Sequence, residues 1–320
     1  MQEERSTAPF EGDLSIPPRP WVERNGFAHW AIALIWIVVA FFAFQFFAAI
    51  VSVVLILSQG GLEGDPAQVM EAFSDQLDLV FIGNSSGQIL FLGFATWVFS
   101  RLHTVKGKHR SFMRFHSQKN TPYMIGLTAL LIIAAQPGIW FLSWLNAMIP
   151  IPEALSQFQD MQMQMIEDYL KGDHLLALTL FHVGVVPAIC EEVLYRSYTL
   201  RAFEKSWGIW PAIIVSGFLF GAYHLQLANL LPLASIGILL AYITWTSNSI
   251  YPAIIAHFIN NGGSVLVGTY YPESAFAELT PESMPPLEAV IISLIVSGYL
   301  VYLMYKQYQK SQTEGAKADV

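Results

Sequence analysis

Long apolar runs separated by short polar segments dominate the pattern of this chain. The first run is longer than the roughly 20 residues that a helix needs to cross the hydrocarbon core of a bilayer. Eight runs predict eight transmembrane helices, at residues 27–58, 79–100, 121–149, 174–200, 208–225, 229–245, 250–267 and 287–305. The predicted fold class is therefore an all-α polytopic membrane protein, with a kink in the third span at Pro137 and Gly138.

One connecting segment is amphipathic rather than apolar. Within residues 154–170, apolar side chains recur at helical spacing among acids and glutamines, at Leu155, Phe158, Met161, Met165 and Tyr169. Such a pattern predicts a helix that lies at the membrane interface or against the helix bundle. A further short helical segment is expected between the acidic loop of residues 58–68 and the second span.

The predicted spans divide the chain into six parts. These are a polar tail (1–26), an N-terminal three-helix membrane region (27–149), the amphipathic connection (150–173), a core (174–268), a last transmembrane helix (287–306) and a polar tail (307–320). The first 26 residues lack the apolar centre of a cleavable signal peptide. We therefore expect the first span to be retained.

Composition supports a membrane protein and excludes some other classes. The chain is 54% hydrophobic and 12% charged, whereas soluble domains are about 25% charged. No basic patch is interleaved with aromatic residues, so nucleic-acid binding has no support. A single cysteine, Cys190, allows no intrachain disulfide and no multi-cysteine zinc site.

The distribution of basic residues predicts the topology. If eight spans cross the membrane, three basic residues lie in the N-terminal tail, six in the second loop, two in the fourth loop and three in the C-terminal tail, which places 14 of the 16 on one side. Lys171 lies on the other side and Arg196 lies within a span. Because cytoplasmic loops carry the excess of Lys and Arg, both termini are predicted to be cytoplasmic.

Within the predicted spans, three groups of residues are suited to acid and base work and to hydrogen bonding. They are Glu191, Glu192, Tyr195 and Arg196 on the fourth span, Tyr223 and His224 on the fifth, and His257, Asn260 and Asn261 on the seventh. A charge near the bilayer centre costs about 2.5–3.5 kcal/mol on insertion scales, so these groups need partners and indicate a site. A rise of about 1.5 Å per residue allows all three groups to lie in one layer of the membrane.

The spacing and chemistry of these groups suit amide hydrolysis. Residues four apart share a helix face, which pairs Glu192 with Arg196 and leaves Glu191 on another face. A carboxylate beside a histidine can take a proton from water, while a second histidine and an asparagine amide can donate hydrogen bonds to an oxyanion. Taken alone, Glu192 and Arg196 are also explained as a buried ion pair whose role is to fix helix packing.

The three motifs together resemble a known family. Glu191-Glu192-x-x-x-Arg196, Phe220-x-x-x-His224 and His257-x-x-x-Asn261, in this order, resemble the CPBP family of CAAX proteases and bacteriocin-processing enzymes, also called Abi, over about residues 170–270. The resemblance implies an eight-helix intramembrane endopeptidase with its catalytic core in residues 174–268. It further implies that Glu191 and His224 activate water, that His257 and Asn261 form the oxyanion site, and that Glu192 and Arg196 are an accessory structural pair.

Several alternatives stay open at this point. Glu191, His224 and His257 could instead bind zinc with a water in the fourth position, although the H-E-x-x-H motif is absent and we expect no cofactor. Cys190 as a nucleophile is disfavoured because no histidine is placed beside it by spacing. The alternative function is a non-catalytic membrane scaffold, chaperone or transporter that retains the polar pocket.

The expected partners are the lipid bilayer and a peptide or membrane-protein substrate, and the expected location is the bacterial cell (inner) membrane. Prenylated CAAX proteins are one substrate class; leader peptides, bacteriocins and membrane proteins are others. The N-terminal three helices carry no recognised signature. The polar residues of the second span, Asn84, Ser85, Ser86 and Gln88, are expected to make hydrogen bonds between helices and to allow close packing.

Overall fold

The described part of the chain is helical throughout. The computed structural model describes residues 18–59, 72–73, 75–172, 175–277 and 279–318, and these ranges contain no β-strand. The main helices are α1 (His29–Ser58), α2 (Leu77–His103), α3 (Thr121–Ala134), α4 (Gln136–Ala147), α5 (Glu153–Lys171), α6 (Leu176–Trp207), α7 (Ile209–Tyr223), α8 (Leu230–Ser247), α9 (Tyr251–Tyr270) and α10 (Leu287–Ala318). Short helical turns lie at Trp21–Arg24, His109–Phe112 and Pro272–Ala275.

Five helices of the described chain are long and apolar enough to cross a membrane, and a sixth span results if α3 and α4 are counted together. These two helices meet at an angle of 43°, close to the predicted kink at Pro137 and Gly138. Helices also occupy the other two predicted spans, but α7 has only 15 residues and α9 is less apolar because it carries the polar motif of His257 and Asn261. The all-α membrane class is therefore confirmed, while the count of eight spans and the cytoplasmic termini stay predictions.

Some sequence predictions lie outside the described residues. They include the tail before residue 18 with Arg5, part of the short helical segment predicted between the acidic loop and the second span, of which residues 72–73 and 75 are described and helical, and the start of the fourth span at His174.

The two outermost helices expose apolar side chains. Phe42 and Phe46 on α1 and Leu294 and Ile295 on α10 are each more than 60% exposed. Apolar side chains in such numbers on the outside of a bundle are suited to contact lipid rather than water.

Glycines bring α7 and α8 into backbone contact. A Cβ built at Gly217 would lie 2.4 Å from the backbone nitrogen of Ile238, and one built at Gly237 would lie 2.4 Å from the carbonyl oxygen of Gly217. One turn further along α7, a Cβ at Gly221 would lie 2.7 Å from the nitrogen of Ala234. Small residues four apart permit this approach in membrane helices. The contact sets the position of His224, which directly follows α7.

A second pair of glycines joins α2 to α1. A Cβ at Gly83 would lie 2.6 Å from the carbonyl oxygen of Ala48, and one at Gly87 would lie 2.7 Å from that of Phe44. Since successive helix positions turn by about 100°, Ser85 lies on the opposite side of α2 from these glycines. It faces α6.

The predicted amphipathic helix is confirmed as α5. Some of its apolar residues are exposed and others are buried. Leu155, Phe158, Met161 and Met165 are exposed, whereas Tyr169 is buried and its ring stacks on Phe81 of α2 at 3.8 Å between centroids. The C-terminal part of α5 therefore packs against the bundle, and its location at the membrane interface stays a prediction.

The close contact between α7 and α8 predicts that one methyl group added at Gly217 destabilises the protein. We expect Gly217→Ala to destabilise the protein by about 1–3 kcal/mol, because its Cβ must displace the backbone of α8. Thermal unfolding in detergent measures the change. Gly126→Ala on α3 is the control, since nothing lies within 4 Å of its Cβ position; equal stability of the two variants would contradict the prediction.

Candidate active site

Helix α6 carries the two carboxylates in a short α-helical piece between two wider turns. Val186–Glu192 is α-helical, whereas Leu180–Val185 before it and Val193–Thr199 after it are π-helical. Such π-turns occur frequently at functional sites because they redirect side chains and free backbone groups.

Glu192 lies at the centre of a buried polar chain. It is 0% exposed, and its Oε1 accepts hydrogen bonds from Arg196 Nη1 at 2.9 Å and from His257 Nδ1 at 2.9 Å. Arg196 Nη2 donates to the carbonyl oxygen of Gly237 at 3.1 Å. The predicted pair of Glu192 and Arg196 is present, and the link to His257 is additional. Spacing within α6 could not reveal that link because it joins two different helices.

His257 lies between the two adjacent carboxylates. Its Nδ1 donates to Glu192, since a carboxylate can only accept, and its Nε2 lies 3.9 Å from Glu191 Oε2. Glu191 is 9% exposed. Its Oε2 is buried without a hydrogen-bond partner in the described part of the chain.

His224 is oriented by its own helix. Its Nδ1 donates to the carbonyl oxygen of Phe220 at 2.8 Å, which leaves Nε2 as an unprotonated acceptor in the neutral ring. The Phe220 ring packs against His224 at 5.1 Å and against His257 at 5.6 Å between centroids. Within the described ranges, no hydrogen bond or ion pair joins His224 directly to Glu191. The structure thus brings Glu191 to His257 but not into contact with His224.

The side-chain amide of Asn261 is held at both ends. Its Nδ2 donates to the carbonyl oxygen of Val183 at 3.2 Å, and its Oδ1 accepts from Asn260 Nδ2 at 3.2 Å. Gln136 of α4 donates in turn to Asn260 Oδ1 at 3.2 Å. An amide nitrogen carries two hydrogens, so one N–H of Asn261 stays available for another acceptor.

Two tyrosine hydroxyls near Glu191 are also buried without a hydrogen-bond partner in the described chain, those of Tyr195 and Tyr223. The two rings lie 5.6 Å apart between centroids. Buried polar atoms without partners are rare in folded proteins and indicate a place for water or a ligand. Both tyrosines belong to the polar groups of the predicted spans, but the sequence pattern predicts no role for them.

The donors of the zinc alternative are not gathered in one place. Among the described residues, no group of three or more His, Cys, Asp or Glu side chains is arranged to hold a metal ion. Glu191 and His257 are neighbours, but His224 does not join them. Cys190 is a buried free thiol, and no hydrogen bond joins it to a histidine in the described residues.

The long apolar helices and the cluster of buried acid and base groups together indicate an integral membrane protein with a polar site among its helices. Residues 173–263 match the family model of Rce1-like type II CAAX prenyl endopeptidases. The matched segment contains all three motifs, so the family resemblance is confirmed there. Searches of curated proteins and of solved structures gave no match.

The buried chain predicts a cost for neutralising Glu192. In Glu192→Gln, Arg196 loses its carboxylate partner and stays buried, so we expect about 3–5 kcal/mol less stability. Thermal unfolding in detergent is the measurement. Glu167→Gln removes an i,i+4 pair with Lys171 on α5, where we expect a change within about 0.5 kcal/mol; similar losses in both variants would refute the special role of the buried pair.

Proposed function

We propose that this protein is an intramembrane endopeptidase in which Glu191 and His224 activate a water molecule and His257 and Asn261 stabilise the oxyanion. The observation that carries the proposal is the buried, unpartnered Oε2 of Glu191 facing His257 within a segment that matches CAAX endopeptidases. A carboxylate oxygen without a hydrogen-bond partner keeps its lone pairs available to accept a proton from water.

The first step is the attack of water on the peptide carbonyl. Glu191 accepts one proton from the water. The water oxygen forms a bond to the carbonyl carbon, and the carbonyl oxygen becomes an oxyanion. The Nε2 of His224 is free to accept a hydrogen bond from the same water. Within the described residues no hydrogen bond or ion pair joins Glu191 and His224, so in this proposal the water is the bridge between them. Catalytic hydrogen bonds often shorten only when substrate is bound.

Two side chains are placed to stabilise the oxyanion. The second N–H of Asn261 is available, and His257 can donate from Nε2 only when the ring carries both protons, since Nδ1–H is already directed at Glu192. The tetrahedral intermediate then collapses: the C–N bond breaks, and the proton held by Glu191 passes to the leaving amine. Donors placed in advance near an oxyanion are often the largest single contribution to catalysis.

Glu192 and Arg196 are proposed as an accessory pair that does not touch the substrate. Glu192 accepts the Nδ1 proton of His257, and Arg196 binds both Glu192 and α8. The pair thereby fixes the ring orientation of His257. No cofactor is needed for these steps, and zinc held by Glu191, His224 and His257 is the alternative mechanism.

We propose eight spans with both termini in the cytoplasm, and the bacterial inner membrane as the location. The substrate is a peptide or membrane protein, and the family match favours a prenylated CAAX peptide. Leader peptides, bacteriocins and other membrane proteins are the further candidates. A scaffold, chaperone or transporter that keeps the polar pocket is the competing function.

Glu191→Gln separates the protease from the competing function. The amide cannot accept the proton of the attacking water, so we expect cleavage to fall at least about 100-fold without loss of fold. The measurement is a comparison of the membrane peptidomes of cells carrying wild type and variant, together with cleavage of a farnesylated CAAX peptide by the purified proteins. Glu273→Gln in the loop after α9 is the control, and unchanged peptides in Glu191→Gln would refute the catalytic assignment.

Chelation tests the metal alternative. With a Glu/His mechanism, we expect the purified enzyme to keep its activity after exhaustive dialysis against a chelator, and elemental analysis to find no stoichiometric metal. Activity that is lost on dialysis and restored by zinc would support the alternative donor set instead.

A further inference from the structure

One carbonyl group of α6, which packs against the N-terminal membrane region, holds a residue of the candidate site. Val183 of α6 accepts the hydrogen bond that holds Asn261. Val183 lies in the π-helical turn Leu180–Val185, before the part of α6 that carries the acidic motif. Any shift of this turn moves the carbonyl oxygen and therefore the amide of Asn261.

A partly buried hydrogen bond joins this turn to α2. Ser85 Oγ lies 2.7 Å from His182 Nδ1, and His182 directly precedes Val183. Ser85 is only 3% exposed. Its neighbours Gly83 and Gly87 are packed against the backbone of α1, so Ser85 is presented from a helix that cannot easily move.

Apolar packing from the side of α2 also holds the π-helical turn Leu180–Val185. The side chain of Val183 packs against a cluster formed by Leu77 and Phe81 of α2 and Tyr169 of α5. The stacked rings of Phe81 and Tyr169 make this surface rigid. Val183 is thus fixed through both its side chain and the hydrogen bond of the preceding residue.

We propose that Ser85 and His182 are positioning residues for the oxyanion site, acting on Asn261 through the Val183 carbonyl. This inference rests on the proposed function. It assigns the N-terminal membrane region a task in the reaction: α1 and α2 form the support against which the turn of α6 is held. Neither residue contacts the substrate.

The chemistry explains why such support matters. An oxyanion donor acts through the geometry it has before the reaction, and a displacement of about 1 Å can cost about 100-fold in rate. With one N–H of Asn261 bound to Val183, the direction of the other N–H follows from the position of that carbonyl. Loss of the bond between Ser85 and His182 loosens the turn but leaves the packing of Val183, so the effect should be partial.

A serine nucleophile activated by His182 is the competing interpretation of the same contact. Ser85 is buried, and its helix neighbour Ser86 instead bonds to the Ile82 carbonyl at 2.8 Å. No oxyanion donors directed at Ser85 are found in the described chain. The kcat values of Ser85→Ala and Asn261→Ala separate the two interpretations.

A double-mutant cycle tests the proposal, with cleavage of a farnesylated CAAX peptide by the purified full-length protein as the assay. We expect Asn261→Ala to lower kcat about 100- to 1000-fold, as for loss of an oxyanion donor. Ser85→Ala should lower kcat about tenfold with KM unchanged, because the donor acts in the transition state. In the Asn261→Ala background, Ser85→Ala should then change kcat less than twofold.

Ser86→Ala serves as the control, and His182→Phe is a second test of the same hydrogen bond. Ser86→Ala, on the same helix but bonded only to its own turn, should leave kcat unchanged. His182→Phe removes the other partner of the bond while keeping a ring, and should reproduce the loss of Ser85→Ala. It also carries the test if Ser85→Ala does not fold, as judged by thermal unfolding in detergent.

The outcomes distinguish the inference from the function on which it rests. Cleavage that persists in Glu191→Gln overturns the proposed function. If Glu191→Gln is inactive but the effects of Ser85→Ala and Asn261→Ala multiply, the positioning role is wrong. A loss in Ser85→Ala larger than that in Asn261→Ala also overturns it, since a residue that acts only through Asn261 cannot exceed it.

Discussion

The buried carboxylate of Glu192 is the interaction on which the core of this protein depends. It is reached by Arg196 from its own helix and by His257 from α9, and Arg196 extends the chain to the backbone of α8. Burying an ion pair is costly unless its hydrogen bonds are satisfied, and here three helices contribute to satisfying them. The relative positions of α6, α8 and α9 therefore depend on the geometry of the Glu192 carboxylate.

This arrangement separates the roles of two adjacent carboxylates. Glu192 has two hydrogen-bond partners at Oε1, whereas Glu191 meets His257 only at 3.9 Å; the Oε2 atoms of both glutamates are buried without a hydrogen-bond partner in the described residues. Because neighbouring helix positions differ by about 100° in direction, one residue can serve structure while the next faces the space for reaction. His257 connects them, since each of its nitrogens faces a different glutamate.

Much of the fold could be predicted from the sequence, but the contacts between helices could not. Apolar runs indicated the helices, and four-residue spacing indicated the pair of Glu192 and Arg196. The link from Glu192 to His257 depends on how α6 and α9 pack, which no local pattern encodes. The same holds for Ser85 and His182, 97 positions apart. The short length of α7 and the moderate polarity of α9 weaken the apolar signal where functional side chains replace lipid-facing ones.

Glycine contacts and polar contacts act together in placing the site. Between α7 and α8 the backbones touch at Gly217 and Gly237, and the carbonyl oxygen of this same Gly237 accepts from Arg196. A larger residue there would move α8 away from both partners at once. In lipid, helices gain little from burying apolar surface against one another, so close packing and hydrogen bonds must provide specificity. In the proposed mechanism, the polar groups of the site are thus also among those that hold the helices in register, so stability and the proposed function depend on the same few residues.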